Sequence, residues 1–184
     1  MTSMVLFVVP PESFRDEELF ETEKVIKEAG IETELASTKV GTITGSQGGT
    51  CQAEKDLFEI DVADYQAIVF IGGEGAQFYF EDPIALAIAE EANRQGKVLA
   101  AICIAPTILA NAGVLNGKKA TAFPSEKETL ESVGALYIDQ PVVSDGNIIT
   151  ASGPQSASAF GWTIAELLKM TQVPPIESQP TDET

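Results

Sequence analysis

The sequence predicts an α/β sandwich whose central sheet is mostly parallel. Short apolar runs alternate with helical patterns along the chain, which is the arrangement that gives a sheet covered by helices. Two of these runs, residues 65–71 and 98–102, are apolar almost throughout, as strands buried on both faces are. With 184 residues and 44% hydrophobic composition, the chain can bury one sizeable core. We therefore expect one domain.

The first part of the chain predicts two strands, a helix and a hairpin. Residues 4–9 are apolar and end at a Pro-Pro pair, and residues 31–36 alternate as a second strand. Between them, residues 16–29 have helical spacing and precede a glycine that suits a helix C-cap. The Gly- and Thr-rich stretch 39–52, which carries Cys51, predicts a hairpin or an irregular excursion.

The middle of the chain predicts two strands that each lead into a helix. The strand 65–71 runs into the glycine-rich turn 72–75. A helix over 82–95 begins with an Asp-Pro pair, in which Asp is the N-cap and Pro the first helical residue. The strand 98–102 is followed almost at once by a helix over 106–112 that has Pro in its first turn.

The last part predicts a short strand over 119–123, a short helix over 126–132 and an antiparallel hairpin over 141–151 with an Asp-Gly pair at its turn. The final helix is predicted over residues 155–170. Residues 1–172 are thus expected to form the single domain. Residues 173–184 hold three prolines and several acidic residues, and we expect them to form a C-terminal tail.

The charge and cysteine content restrict the partners and the compartment. The chain has 28 acidic and 11 basic side chains and a net charge of -17, which disfavours nucleic acids and anionic membrane surfaces. Its first residues lack the basic and apolar segments of a signal peptide, and no run is long enough to span a membrane. Two cysteines cannot form a disulfide framework in a chain of this length. These features predict free thiols and a cytoplasmic protein.

The sequence contains no histidine. This removes the usual general base of serine and cysteine hydrolases, and also the usual ligand of catalytic zinc. Any chemistry must therefore be carried by a carboxylate, a thiolate or backbone N–H groups. We expect no metal and no cofactor.

The strongest candidate for a functional residue is Cys103, between the strand 98–102 and the helix that follows. A strand that turns directly into a helix exposes the side chain at the bend and directs free backbone N–H groups towards it. Glu18 lies on the inward face of the first helix, where we expect it to be partly buried. The carboxyl ends of parallel strands meet at one sheet edge, so Glu18, the turn 72–75 and Cys103 could converge. The alternatives are a packed core thiol and an ordinary glycine turn.

Four segments carry a resemblance to a known family. They are Phe-Arg-Asp-Glu-Glu-Leu at 14–19, Ile-Gly-Gly at 71–73, Ala-Ala-Ile-Cys-Ile-Ala-Pro at 100–106 and Asp-Gly-Asn-Ile-Ile-Thr-Ala-Ser-Gly-Pro at 145–154. With these segments the chain resembles the ThiJ/PfpI superfamily, from residue 4 to about residue 170. The resemblance implies a flavodoxin-like three-layer α/β/α sandwich in which the cysteine occupies a nucleophile elbow. It also implies a homodimer or a larger homo-oligomer.

The resemblance also assigns roles to individual residues. Cys103 matches the reactive cysteine, and Glu18 matches the carboxylic acid that contacts its sulfur. An oxyanion or substrate pocket is implied at the turn that holds Gly72 and Gly73, where the backbone N–H of Gly73 would act together with that of Ile104. The activity implied is a glyoxalase or deglycase type of reaction on a small-molecule substrate.

The chain departs from the family pattern at three positions. Ile104 stands where the members described as proteases have a histidine after the cysteine, so that pair is absent. Phe123 stands where the deglycase branch has a histidine, and Ser152 stands where an arginine often precedes the Gly-Pro of the last strand. Peptidase activity is therefore not expected, and binding of an anionic substrate is weakly supported.

The sequence leaves three possibilities open for Cys103: two functions, and a thiol that has no function. A neighbouring carboxyl that is protonated could donate a hydrogen bond to the Cys103 thiolate, so that the pair shares one proton. Such a thiolate could add to a 2-oxoaldehyde, or an oxidant could convert it to sulfenate in a redox sensor. Cys51 is interpreted as structural or incidental, with a redox or interface role as the alternative. The aromatic cluster 78–80 could line the pocket or an interface.

Overall fold

The computed structural model describes residues 3–172 and confirms the predicted α/β sandwich with a mostly parallel sheet. Its strands in chain order are β1 (Met4–Val8), β2 (Glu32–Ser37), β3 (Gly41–Thr44), β4 (Thr50–Ala53), β5 (Lys55–Asp56), β6 (Ala67–Phe70), β7 (Val98–Ile102), β8 (Lys119–Ala120), β9 (Leu136–Tyr137), β10 (Val142–Asp145) and β11 (Ile148–Ala151). Its α-helices are α1 (Asp16–Glu28), α2 (Pro83–Arg94), α3 (Pro106–Asn111), α4 (Lys127–Ser132) and α5 (Ala157–Thr171).

The central sheet has seven strands in the order β10-β11-β7-β6-β1-β2-β5. Its strand pairs are parallel except for β10 and β11, which form the predicted antiparallel hairpin. The register pairs Val8 with Phe70 and Phe70 with Ala101, so that β1, β6 and β7 end at the same edge of the sheet. The loops that follow these three strands therefore meet at one place.

Helices cover both faces of the sheet because side chains alternate along each buried strand. One face carries Leu6, Ile68 and Leu99, which belong to the same apolar cluster as buried residues of α2, α3 and α4. The opposite face carries Phe7, Val69 and Ala100, in one cluster with residues of α1 and α5. These are the three layers that the family resemblance implied.

Helices α1 and α5 pack against each other at a glycine. A Cβ atom added to Gly161 would lie 3.0 Å from the backbone oxygen of Thr22, so a larger residue would push the helices apart. The buried Thr22 hydroxyl donates a hydrogen bond of 3.2 Å to the backbone oxygen of Ala157. This contact fixes α1 over the sheet, and α1 carries Glu18.

The structure corrects several sequence-based boundaries. The strand predicted over 119–123 covers only Lys119–Ala120 and pairs with β9 in a separate two-stranded sheet. Beyond it, the backbone N–H groups of Thr121 and Phe123 donate to Thr150 and Cys103, outside any strand ladder. The last helix begins at Ala157 because residues 154–156 form a 3₁₀ turn.

Other short elements were not predicted. They are β5, β9 and four 3₁₀ segments at residues 57–59, 62–64, 74–79 and 124–126. The predicted tail at 173–184 lies outside the described residues. Among residues 3–172, no helix combines the length and the apolar character needed to cross a membrane.

Candidate functional site

Cys103 lies at a sharp bend between β7 and α3. Its φ of +65° is in the left-handed region, which a residue with a side chain rarely adopts. The Cys103 N–H donates to the oxygen of Ala151 at 2.9 Å, and its own carbonyl accepts from the N–H of Phe123 at 2.7 Å. Strained backbone of this kind persists only where neighbours impose it, and it is concentrated at active sites. The residue retains 9% of its surface exposed, so it is not sealed in the core.

Glu18, in the first turn of α1, is completely buried rather than partly buried as expected. Its Oε1 atom accepts a hydrogen bond of 3.1 Å from the N–H of Gly72. A Cβ atom added to Gly72 would lie 2.5 Å from Oε1 of Glu18 and 2.8 Å from Cβ of Cys103. Only glycine fits at this position, which lies against both the carboxyl and the cysteine. The structure thus brings together the three residues that the sequence analysis selected from separate elements.

The carboxyl and the thiol influence each other directly. Burial raises the pKa of Glu18 to about 7, and hydrogen bonding to Cys103 and to Gly72 only partly offsets this effect. Burial also raises the pKa of the Cys103 thiol, to about 12, and the neighbouring Glu18 raises it further. Losing both protons would place two negative charges side by side in a buried site. The pair therefore keeps at least one proton throughout the neutral pH range.

The alignment of the pair is incomplete. The Oε2 atom of Glu18 is buried and has no well-aligned hydrogen-bond partner among residues 3–172. Hydrogen bonds at active sites are often long or poorly aligned until substrate binds. The unpaired oxygen is therefore available for a hydrogen bond with a substrate or with the sulfur. While it stays buried without a partner, it lowers the stability of the folded state.

Two backbone N–H groups lie near the sulfur, those of Gly73 and Ile104. Both favour the thiolate and lower the pKa of the Cys103 thiol, against the larger effect of burial. Gly73 has a φ of +99°, and a Cβ atom there would lie 2.4 Å from the nitrogen of Arg15. An anionic oxygen next to the sulfur would therefore meet two N–H groups that are already in position.

The raised pKa of Glu18 predicts a change of stability with pH. The folded state binds this proton more tightly than the unfolded state, so the stabilisation exists below about pH 4.5 and disappears as the pH rises through about 7. We expect the difference in unfolding free energy between the natural protein and Glu18→Gln to shrink by about 2 to 3 kcal/mol from pH 5 to pH 8. Urea unfolding at the two pH values measures it.

The exposed Glu28 at the other end of α1 provides the control for this prediction. Glu28→Gln removes the same formal charge from the same helix, and we expect its unfolding free energy to follow that of the natural protein at both pH values. A Glu18→Gln protein whose unfolding free energy changes with pH as the natural one does would contradict the raised pKa.

A groove of about 860 Å³ lies beside the elbow. Its lining includes Phe123 and Ser152, two of the three positions where the chain departs from the family pattern, together with Arg15, Tyr137 and Asp139. The last three were not selected from the sequence. Tyr137 ends β9 and Asp139 lies in the loop that follows. Both come near α1 only in the folded chain, and no local pattern marks them.

The remaining sequence candidates lie outside this site. Cys51 lies half-buried in β4, and burial together with the carboxylates of Glu23 and Asp16 raises the pKa of its thiol to about 11. The pKa does not distinguish the two thiols, since that of Cys103 is raised as well; what Cys51 lacks is the left-handed backbone of Cys103, because it lies within a regular strand. In the aromatic cluster 78–80, Tyr79 is buried and donates a hydrogen bond of 2.7 Å to the oxygen of Val9, while Phe78 is exposed.

Both cysteines are free thiols. Within the part of the chain that the structure describes, no cluster of three or more His, Cys, Asp or Glu side chains is arranged as a set of metal ligands. The groups at the elbow that can act chemically are thus one thiol, one buried carboxyl and two backbone N–H groups.

Comparisons with known proteins give a consistent result. The model of the DJ-1/PfpI family matches residues 3–167. An uncharacterised protein of Methanocaldococcus jannaschii is 39% identical over 168 residues, which cover 90% of this chain and 82% of that protein. A protein of Pyrococcus horikoshii named a deglycase is 34% identical over 165 residues, covering 90% and 99%. The crystal structure of a ThiJ/PfpI domain protein from Brachyspira murdochii has a TM-score of 0.90 and 31% identity, covering 92% and 98%.

Proposed function

Because this chain belongs to the DJ-1/PfpI family, we propose that it uses Cys103 as a nucleophile towards small 2-oxoaldehydes, with Glu18 as the proton carrier. The observation that carries the proposal is the strained cysteine, which lies against a buried carboxyl and two N–H groups. The relative from Pyrococcus horikoshii is named a deglycase, which agrees with the glyoxalase or deglycase type of reaction that the family resemblance implies for this chain.

The first chemical step is addition of sulfur to the aldehyde carbon. The Cys103 thiol, which its raised pKa keeps protonated at neutral pH, first transfers its proton to the Glu18 carboxylate. The sulfur electron pair then forms the C–S bond while the C=O π bond breaks. The developing oxyanion lies against the N–H groups of Gly73 and Ile104. Glu18 then donates its proton to this oxygen, which gives a neutral hemithioacetal and leaves a carboxylate.

The second step rearranges the hemithioacetal. The Glu18 carboxylate removes the hydrogen from the former aldehyde carbon as a proton, which leaves an enediolate, and the same proton is returned to the adjacent carbonyl carbon. The hydroxyl proton of the former aldehyde carbon passes to the oxygen of that adjacent carbon, so that a C=O bond re-forms next to the sulfur. The product is a thioester of a 2-hydroxy acid on Cys103. Water hydrolyses the thioester, releasing the acid and restoring the thiol. For methylglyoxal the overall change is addition of one water to give lactate, without an external oxidant.

Peptide hydrolysis is not proposed. Its leaving group is an amine, which requires a proton donor matched to nitrogen, and the sequence has no histidine to act as one. Ile104, an aliphatic residue, follows the cysteine and cannot supply a base.

A second candidate function is redox sensing by the same sulfur. Peroxide would oxidise the Cys103 thiolate to sulfenate and be reduced to water or hydroxide. The N–H groups of Gly73 and Ile104 are positioned to bind the added oxygen, which is the observation that supports this candidate. In that case mass spectrometry after mild peroxide treatment would find added oxygen on Cys103 before Cys51, without turnover of aldehyde.

The proposed function is tested by turnover of methylglyoxal by the purified protein. We expect consumption in proportion to protein concentration, with lactate as the product. Glu18→Gln should lower kcat by about 10²-fold or more, because the amide keeps a hydrogen-bond donor near the sulfur but cannot accept and return the proton. Alkylation of Cys103 by iodoacetamide should remain in that variant, which separates loss of proton transfer from loss of the site.

The control is again Glu28→Gln, which should consume methylglyoxal at the rate of the natural protein. No consumption by the natural protein, or unchanged kcat in Glu18→Gln, would contradict the proposed function. A cytoplasmic location, a single domain over 1–172 and assembly into a homodimer or larger homo-oligomer stay predictions from the sequence and the family resemblance.

A further inference from the structure

Arg15 is the cationic side chain nearest to the proposed reaction, and it is already paired. Its Nε atom donates to Oε2 of Glu17 at 2.7 Å and its Nη2 atom donates to Oε1 of the same carboxylate at 3.3 Å. This two-point geometry matches the planar guanidinium to a single carboxylate. Both side chains are partly exposed at the N-terminus of α1, where they line the groove.

The side chains that line the groove carry little positive charge with which to bind an anion. Among its lining residues, all of which the structure describes, Arg15 is the cation, and Glu17 and Asp139 are the anions. Ser152 is neutral and lies in the same lining. The pairing neutralises the one cation locally, and Asp139 adds a negative charge to a chain whose net charge is already -17.

Arg15 lies next to the elbow, because its backbone N–H donates a hydrogen bond of 3.0 Å to the oxygen of Gly72, which packs against both Glu18 and Cys103. The negative forms of Glu18 and Cys103 contribute to raising the pKa of Arg15, after the larger contribution of Glu17. Water and salt screen the interaction of the Arg15 charge with Glu18 and Cys103 but do not abolish it. The state of the Arg15–Glu17 pair therefore affects the potential that an incoming molecule meets at the sulfur.

We propose that Glu17 determines the charge specificity of the site: by pairing with Arg15 it makes the groove select uncharged carbonyl compounds over those that carry a carboxylate. This inference rests on the proposed function for its substrate, but its physical basis is the field at Cys103. Glu17 does not touch the reacting atoms in this account. It is a specificity-determining residue that acts through Arg15.

The test compares two alkylating reagents that differ in charge, in a protein that carries Cys51→Ser. Iodoacetamide is neutral and iodoacetate is anionic, and mass spectrometry follows the rate of each on Cys103. The ratio of the iodoacetate to the iodoacetamide rate is divided by the same ratio for glutathione, which cancels the intrinsic difference between the reagents. Because both reagents need the same thiolate, a change in the pKa of the thiol also cancels.

We expect Glu17→Gln to raise this ratio roughly threefold to tenfold at low ionic strength, because the freed guanidinium attracts the anion. The gain should shrink as salt is added. Glu28→Gln removes the same charge from the far end of α1 and should leave the ratio near its starting value. Adding Arg15→Gln to Glu17→Gln should abolish most of the gain, because the freed cation is then absent.

An equal ratio in Glu17→Gln and Glu28→Gln would overturn the inference, and so would a gain that survives Arg15→Gln. A Cys103 that resists both reagents would overturn it too, because the groove would then not lead to the sulfur. The result does not depend on turnover: a protein inactive on methylglyoxal but with the expected ratios would refute the proposed function and keep the charge selection. Turnover of methylglyoxal with unchanged alkylation ratios would support the proposed function and refute the charge selection.

Discussion

Replacing Gly73 by alanine is expected to lower the free energy of unfolding by about 3 kcal/mol. The φ of +99° costs an alanine about 1 to 2 kcal/mol, and the added Cβ atom would lie 2.4 Å from the nitrogen of Arg15 and 2.5 Å from the oxygen of Ser13. These atoms belong to the backbone that leads into α1, so they cannot move as the end of a flexible side chain can. Urea unfolding measures the loss.

The same substitution is expected to impair the reaction. Relief of the clash must displace the N–H of Gly73 from the sulfur of Cys103, and loss of one oxyanion donor typically costs about 10²-fold in kcat. Methylglyoxal turnover by the folded fraction, below the unfolding midpoint, measures this second effect.

Gly96→Ala is the matched control for Gly73→Ala. Gly96 follows α2 with a φ of +70°, and a Cβ atom there would meet nothing within 4 Å. The free energy of unfolding of Gly96→Ala should therefore fall only by the cost of the backbone conformation, about 1 to 2 kcal/mol, and the variant should keep full activity. Equal destabilisation by the two substitutions would contradict the tight packing described for Gly73.

The arrangement of residues at the elbow could be predicted because each of its parts has a local signal. The apolar run before Cys103 and the helical pattern after it define a bend, and helical spacing places Glu18 on the inward face of α1. The parallel sheet then brings Glu18, the turn 72–75 and Cys103 together, since the carboxyl ends of its strands share an edge. These inferences required periodicity and topology but no knowledge of distances.

The parts that could not be predicted depend on contacts between distant segments. The complete burial of Glu18 follows from the approach of Gly72 to its carboxyl, 54 positions along the chain. Strands β5 and β9 have two residues each, too few to establish an alternating pattern. The strand predicted over 119–123 was too long because its end bonds to Thr150 and Cys103 across loops.

Cys103→Ser is expected to lower kcat/KM for methylglyoxal by about 10³-fold or more. A serine hydroxyl has a far higher pKa than a thiol, and with no histidine in the chain there is no strong base to activate it. The neighbouring carboxyl, with a pKa of about 7, is too weak a base to deprotonate an alcohol. Serine nearly preserves the size of the side chain, so the substitution should leave the fold and the strained bend in place.

The remaining thiol provides the comparison. Cys51 lies in the β3–β4 hairpin and does not line the groove, so Cys51→Ser removes a thiol that has no part in the proposed reaction. Circular dichroism and the unfolding midpoint of both variants should match those of the natural protein, which ensures that a loss of rate reports on chemistry.

The most direct measurement is thus kcat/KM for methylglyoxal in Cys103→Ser and in Cys51→Ser, side by side. A loss of about 10³-fold or more in the first and an unchanged value in the second is the expected result. Equal values in the two folded variants would contradict the central claim that the sulfur at the elbow is the nucleophile.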